Sequence, residues 1–246
     1  MRIDNDVLAV LSVAQTNGKE LVLTGQLDRK LYERTNKVLE AAGGKWNRKA
    51  KAHIFEDDAV TRIDQIILTG EVEIPKDEFN YFPSPPSVVE RLIELAEIEP
   101  GMQVLEPSAG QGAIALACAE QGADVDCVEL MEANYKVLCA YDRLKRVRHG
   151  CFLESGVIQA YDRIVMNPPF MKQADIRHIL HALKFLKSGG TLVSVMGAGV
   201  MFRQNKLTVD FREMVQKMGG YFEPIPDESF KESGTMVRTV IVVIPA

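Results

Sequence analysis

The sequence has no cysteine pair at the spacing that metal or redox chemistry requires. Cys118, Cys127, Cys139 and Cys151 are scattered through apolar surroundings without a Cys-x-x-Cys among them, and the four histidines are equally dispersed. A zinc ribbon and a thioredoxin-like site are thereby excluded, no metal is expected, and the cysteines read as reduced packing residues of a cytoplasmic protein. No apolar run approaches the roughly eighteen residues of a membrane span. Met1-Arg2-Ile3-Asp4-Asn5-Asp6 is no leader peptide, so no membrane role is expected. Gly-Lys-Ser/Thr is absent too, which excludes a P-loop. A net charge of −5 argues against a uniformly basic nucleic-acid binder but leaves room for a local basic patch. What remains, at 246 residues with 46% apolar and 26% charged, is a globular chain long enough for a large domain and a small one.

Residues 1–78 read as a small α+β module. Glu20 to Thr24 is a short strand closed by Gly25, and Asp28 is placed to cap a helix reaching Ala42. Ala52 to Glu56 is a second strand candidate, and Asp57 or Asp58 caps a helix to about Leu68. Between Gly25 and His53 the charge is uneven, with eight Lys/Arg (29, 30, 34, 37, 45, 48, 49, 51) against three acids (28, 33, 40). The loop Lys45 to Lys51 surrounds the only tryptophan. Trp46 among Lys45, Arg48, Lys49 and Lys51 suits base stacking beside a phosphate backbone; the alternative is a solvated helix face with a core tryptophan.

Pro75, Pro83, Pro85 and Pro86 mark a boundary, after which residues 79–246 form the main domain. Its first helix is expected from Val88 to Ile98, with Ser87 and Glu90 as a capping box. Gln103 to Glu106 is a buried strand, Pro107-Ser108-Ala109-Gly110-Gln111-Gly112 a glycine-rich turn, and Ala113 to Gln121 a helix. That succession is a Rossmann-type unit, whose glycines let the backbone approach a ligand closely. The next strand ends in Glu129, an acid placed to accept from ribose hydroxyls. The helix Ala174 to Leu186, a C-cap turn at Ser188-Gly189-Gly190 and a strand from Thr191 to Met196 continue the alternation.

The informative stretch is Asp162 to Phe170. Arg163 to Met166 reads as a buried strand, stopped by Asn167-Pro168-Pro169-Phe170. Two prolines have no ladder N–H to give, and they stiffen the turn that leaves the strand. They hold the Asn167 carboxamide oxygen and the Pro168 carbonyl as a rigid pair of acceptors at a strand's carboxyl end. A planar –NH2 offers two donors to such a pair, with Phe170 available to stack on the flat group. Aligned acceptors favour a more pyramidal nitrogen and are preorganised toward the charge that develops on it.

Taken together, residues 79–246 resemble class I S-adenosylmethionine-dependent methyltransferases with an Asn-Pro-Pro-aromatic motif, and in motif order the gamma-type DNA adenine-N6 methyltransferases. The resemblance implies a Rossmann-like α/β fold with a seven-stranded, mostly parallel sheet and a terminal antiparallel pair at 221–225 and 237–244. It implies that Glu106, Ala109, Gly110 and Gly112 hold the methionine moiety, that Glu129 takes the ribose, and that Tyr81, Phe82, Pro83 and Pro85 line the cofactor. Phe152 and Leu153 would be apolar walls at the adenine. Cys151 stands where the family often has an Asp, which removes one hydrogen bond to the adenine amine.

The expected reaction is methylation of an exocyclic amine: adenine N6 in DNA first, adenine N6 in RNA second, a protein glutamine third. A catalytically idle, cofactor-binding module is the alternative from another class. The resemblance also implies a target-recognition region, yet the 76 residues after Phe170 are all needed to finish the sheet. Recognition is then left to the first 75 or so residues or to a specificity partner, or is low.

Overall fold

The computed structural model describes residues 3–55, 58–72, 83–226, 230 and 237–246. Helix α1 (Asn5–Ser12) buries Val7, Leu8, Val10 and Leu11. Strands β1 (Gln15–Asn17) and β2 (Glu20–Val22) form a short hairpin beside it. The Asp28 carboxylate accepts from the Leu31 N–H and so starts α2 (Arg29–Ala41), as expected of a cap. β3 (Lys45–Asn47) and β4 (Ala52–Ile54) complete a four-stranded sheet in the order β1-β2-β4-β3. Asp58 then caps α3 (Ala59–Thr69), which ends at Gly70 in a left-handed conformation. Leu8, Leu21, Leu39 and Ile66 fill the space between these helices and the sheet.

The larger unit alternates helices and strands. In chain order it comprises α4 (Pro86–Ala96), β5 (Gln103–Glu106), α5 (Ala113–Glu120), β6 (Asp124–Glu129), α6 (Glu132–Leu138), β7 (Arg146–His149), β8 (Tyr161–Met166), α7 (Ala174–Ala182), β9 (Leu186–Gly197), α8 (Lys206–Lys217), β10 (Tyr221–Pro224) and β11 (Thr239–Pro245). The seven strands lie in the order β10-β11-β9-β8-β5-β6-β7. All neighbours from β9 to β7 are parallel, while β11 runs antiparallel to both β9 and β10. This is the α/β class and mostly parallel sheet expected from the sequence. Side chains of successive strand residues point to opposite faces, so both faces of the central strands are buried. In β8, Val165 joins Leu92 and Ile114 under α4 and α5, whereas Ile164 and Met166 join Ile176 and Phe211 under α7 and α8. Among the described residues no helix is long and apolar enough to cross a membrane.

Two local expectations give way. Ser87 does not cap α4: Pro85 is the cap and Pro86 the first helical residue, where a fixed φ suits the helix and a missing N–H costs nothing. Ser188-Gly189-Gly190 is not a helix end either. The helix stops at Ala182, and these residues already lie within β9, where Gly189 donates to the Ala246 carbonyl and Gly190 accepts from Ala246. Strands β1, β3 and β7 and helix α6 arise from stretches too short and polar to show a period, and β3 takes the first three residues of what reads in the sequence as a loop from Lys45 to Lys51.

The small sheet's helices lie against the large unit through α3. The Arg238 N–H donates to the Leu68 carbonyl at 2.9 Å. Nearby, Arg203 pairs with Asp64 at 3.0 Å, with both side chains almost fully buried. Removing one partner of such a pair leaves an uncompensated charge in a dry site. Asp64→Ala is expected to lower stability by about 3–5 kcal/mol, read as a fall in the urea midpoint. A loss below about 1 kcal/mol, the range of an exposed pair, would show that water reaches Arg203.

Candidate active site

The site is assembled at the carboxyl ends of β5, β6 and β8, where the sheet order reverses direction of growth. After β5 the chain turns through Pro107 to Gly112 into α5. Gly112 caps that helix at φ +94°, and a Cβ there would stand 3.0 Å from the Leu138 side chain. Both the left-handed backbone and the space therefore call for glycine.

Glu129, at the end of β6 and only 7% exposed, holds this turn. One of its carboxylate oxygens accepts from the Gly110 N–H at 2.7 Å, and the other from the Met131 N–H at 2.6 Å. A carboxylate has about four lone-pair directions, so two remain for a ligand's hydroxyls. Glu106, at the end of β5, is 2% exposed. Burial pushes its carboxyl well above the ordinary range, and the Glu129 charge adds to that. Its Oε2 has no hydrogen-bond partner among the described residues.

Between these acids and the end of β8 lies a cavity of about 180 Å³. Its walls are Pro107–Gly110 of the turn, Glu129–Met131, Gly150–Phe152 after β7, and Asn167–Pro169 after β8. Pro83 and Ser84 close it from ahead of α4, and His178 closes it from α7. The Asn167 Nδ2 donates to the Ser84 Oγ at 3.0 Å. Ser108 lies 3.4 Å, Oγ to Nδ1, from His178, whose imidazole burial pushes down to about 4, so that it is neutral at pH 7.

Of the residues singled out in the sequence, Asn167, Pro168, Pro169, Pro83, Glu106, Ala109, Gly110, Glu129 and Phe152 thus meet at one cavity. Gly112 and Pro85 do not line it; they shape the helix starts behind it. Tyr81 and Phe82 lie outside the described residues. Two roles need correction. Phe170 is 2% exposed and packs in the core, lining a separate crevice with Leu68 and Asp175, so its ring presents no stacking face. Leu153 is 38% exposed and, unlike its neighbour Phe152, does not line the cavity. Ser84, His178, Leu130 and Met131 were not foreseen. Only Ser84 carried a signal, since it precedes a Pro-Pro pair as Asn167 does.

Beyond Pro169 the backbone turns through Lys172 and Gln173, both left-handed at φ +52° and +58°. Such conformations in non-glycine residues cost on the order of 1–3 kcal/mol each and cluster at functional sites. Gln173 is held by the Thr208 hydroxyl, which donates to its Oε1 at 2.7 Å. Lys172 stands 3.9 Å from Asp58 at the head of α3.

Lys45, Trp46, Arg48, Lys49 and Lys51 are all exposed, on β3 and the turn into β4 at the edge of the small sheet, and none of them lines the cavity. Trp46 is 50% exposed, which excludes the core-tryptophan alternative; its ring lies 5.1 Å from that of His53. Among the described residues no cluster of three or more His, Cys, Asp or Glu is placed to hold a metal.

A family model described as "Methyltransferase small domain" matches residues 89–222, more than half of the chain. Solved structures similar to this chain include one described as the modification subunit of a type I restriction enzyme from Vibrio vulnificus YJ016, at 16% identity and a TM-score of 0.58. That match covers 69% of this chain and 45% of that one, so this chain spans under half of the Vibrio protein's length. A protein described as an RNA methyltransferase from Pyrococcus horikoshii matches at 21% identity and a TM-score of 0.51, covering 70% of this chain and 90% of that one. A dimethyladenosine transferase from Plasmodium falciparum matches at 19% and 0.51, over 68% and 64%. At these identities the structures speak for the fold, and the family model for the kind of enzyme. The orphaned Glu106 oxygen and the half-used Glu129 carboxylate fit the ammonium and ribose of one cofactor, S-adenosylmethionine. The chain belongs to the methyltransferase small domain family, whose cofactor is S-adenosylmethionine.

Proposed function

We propose that this methyltransferase acts on an exocyclic amine, and that its substrate is adenine N6 in DNA. The observation that carries the reading is the placement of Asn167 and Pro168, on a proline-stiffened strand end, in the same cavity as the Glu129-held glycine turn. The cofactor supplies an electrophilic methyl group when bound. Asn167 Oδ1 and the Pro168 carbonyl accept the two amine hydrogens, which draws the nitrogen lone pair out of conjugation and toward the methyl carbon. The same two acceptors would stabilise the positive charge left on the methylated nitrogen until one of its protons passes to solvent. Pro169 keeps the corner rigid. Glu106 would receive the methionine ammonium, Glu129 the ribose hydroxyls and Phe152 the adenine face, with Cys151 offering that ring a weaker partner than a carboxylate. With Phe170 buried, the flipped base would be held by other surfaces of the cavity mouth.

The exposed Trp46 and the four cations around it are read as the nucleic-acid contact, which supports a polynucleotide over a protein glutamine. Incubation with labelled cofactor and duplex DNA, single-stranded DNA, RNA or protein extract, with nucleoside and amino-acid analysis of the products, tests the assignment. N6-methyladenine from DNA is the expected product. Label in RNA alone would move the substrate to RNA, and label in protein alone would discard a nucleic-acid substrate.

Asn167→Ala is expected to lower kcat by about 10²–10³, the usual cost of losing a preorganised contact to developing charge, with cofactor binding by calorimetry intact. Turnover at the wild-type rate would refute the acceptor role. Glu129→Ala removes charge-assisted contacts worth roughly 1.5–3 kcal/mol and should weaken the cofactor Kd about 10- to 150-fold. An unchanged Kd would place the ribose elsewhere. Reversing Lys45, Arg48, Lys49 and Lys51 to glutamate should weaken DNA binding and flatten its dependence on salt; an unaltered slope of log K against log salt would remove the hairpin from the interface.

A further inference from the structure

The corner that carries Asn167 is held by β8 on one side only. β8 ends at Met166, and neither Pro168 nor Pro169 has an N–H with which to tie the chain that leaves it. The first residue past the prolines is Phe170, and its ring is 2% exposed in the core that it shares with Leu68 of α3. Gly197, at the end of β9, closes the same socket. A Cβ there would lie 2.8 Å from Leu68 Cδ2 and 3.7 Å from Phe170 Cβ, so the socket has no spare volume. Two residues past Phe170, Lys172 stands 3.9 Å from Asp58 at the head of α3. The helix thus meets the segment leaving the corner at both of its own ends.

α3 serves two cores. Ile63, Ile66 and Ile67 pack with Leu8, Leu21 and Leu39 of the small unit, whereas Leu68, the very next residue, packs with Val165 and Phe170 of the large one. Successive helical residues stand about 100° apart, so a single helix can be buried on both sides. A move of the small unit is therefore felt at Phe170. Pro168 and Pro169 have fixed φ angles and pass it back toward Asn167. We infer that Leu68 is a positioning residue: through the Phe170 ring it fixes where the proline corner holds Asn167. The small unit then forms part of the catalytic apparatus, besides presenting the Trp46 hairpin. The inference rests on the reading of Asn167 given under Proposed function.

The test compares wild type, Leu68→Ala, Leu68→Met, Gly197→Ala and Asn167→Ala in the full chain. Each is assayed with labelled S-adenosylmethionine on unmethylated duplex DNA and, in parallel, on mixed RNA. The cofactor Kd is read by calorimetry and the DNA Kd by anisotropy of a labelled duplex. Leu68→Ala empties the socket and should lower kcat about 10- to 100-fold, the scale of a misplacement near 1 Å. Both Kd values should stay within about twofold of wild type. Leu68→Met conserves volume and should stay within about threefold of the wild-type kcat. Gly197→Ala crowds the same socket without emptying it and should lower kcat about tenfold. Wild-type kcat in Leu68→Ala or, if that variant fails to fold, in Gly197→Ala, beside an impaired Asn167→Ala, would overturn the positioning role and leave that of Asn167 standing. A cofactor Kd that weakens in step with the rate would mean general loosening and likewise overturn the inference. Full activity in Asn167→Ala, or a wild type inactive on both nucleic acids, would overturn the underlying reading instead.

Discussion

One buried carboxylate holds the site open. Glu129 sends its two oxygens to backbone N–H groups on different loops, Gly110 after β5 and Met131 after β6, and so fixes the spacing of the two strand ends that bound the cavity. Charge-assisted hydrogen bonds to backbone donors are strong and directional. Together with the 3.0 Å bond from the Ala109 N–H to the Val128 carbonyl, they hold the glycine turn against the end of β6. The same charge acts on Glu106, whose own carboxyl is raised partly by facing it. Two acids at adjacent strand ends thus divide the labour: Glu129 braces two loops through their backbone N–H groups, and Glu106 lies desolvated with one oxygen unpartnered among the described residues.

The sequence made the main sheet legible because its elements carry their own stop signals. Asn-Pro-Pro ends β8 and the glycine turn ends β5, while in the small unit Asp28 and Asp58 begin helices with their carboxylates. The positions of the site's principal residues came with those signals, since ligands gather beyond the carboxyl ends of parallel strands. What was not legible depends on contacts distant in sequence. Phe170 looked available for stacking because it adjoins the prolines, but Leu68 of α3 and the end of β9 close over it. Ser87 looked like a cap until Pro86 took the first helical position. Helix α6 and strand β7 have four to seven residues each, too few for a hydrophobic period to rise above noise.

The small sheet is placed by charge as well as by packing. Arg203, from the segment after β9, reaches Asp64 of α3 inside a dry contact, and Asp175 at the start of α7 lies within reach of the same field. Asp175 takes the N–H groups of Gly197 and Ile176, while burial lifts its carboxyl to about 6. These acids sit behind the loop that carries Asn167, together with the left-handed Lys172 and Gln173. The basic hairpin and the cavity accordingly belong to bodies joined by a specific polar contact and not only by the chain between them.

The order of the large sheet leaves β7 and β10 as its margins. An open margin is a row of unpaired peptide groups, a template on which a second copy could add and begin to aggregate. Here β7 is Arg146-Val147-Arg148-His149, four residues of which only Val147 is apolar, and β10 is four residues ending in Pro224. Short, cationic or proline-ended borders repel their own likeness. The protein therefore carries a safeguard against edge-to-edge stacking at both ends of the sheet, which bears on how concentrated a stock of it stays monodisperse.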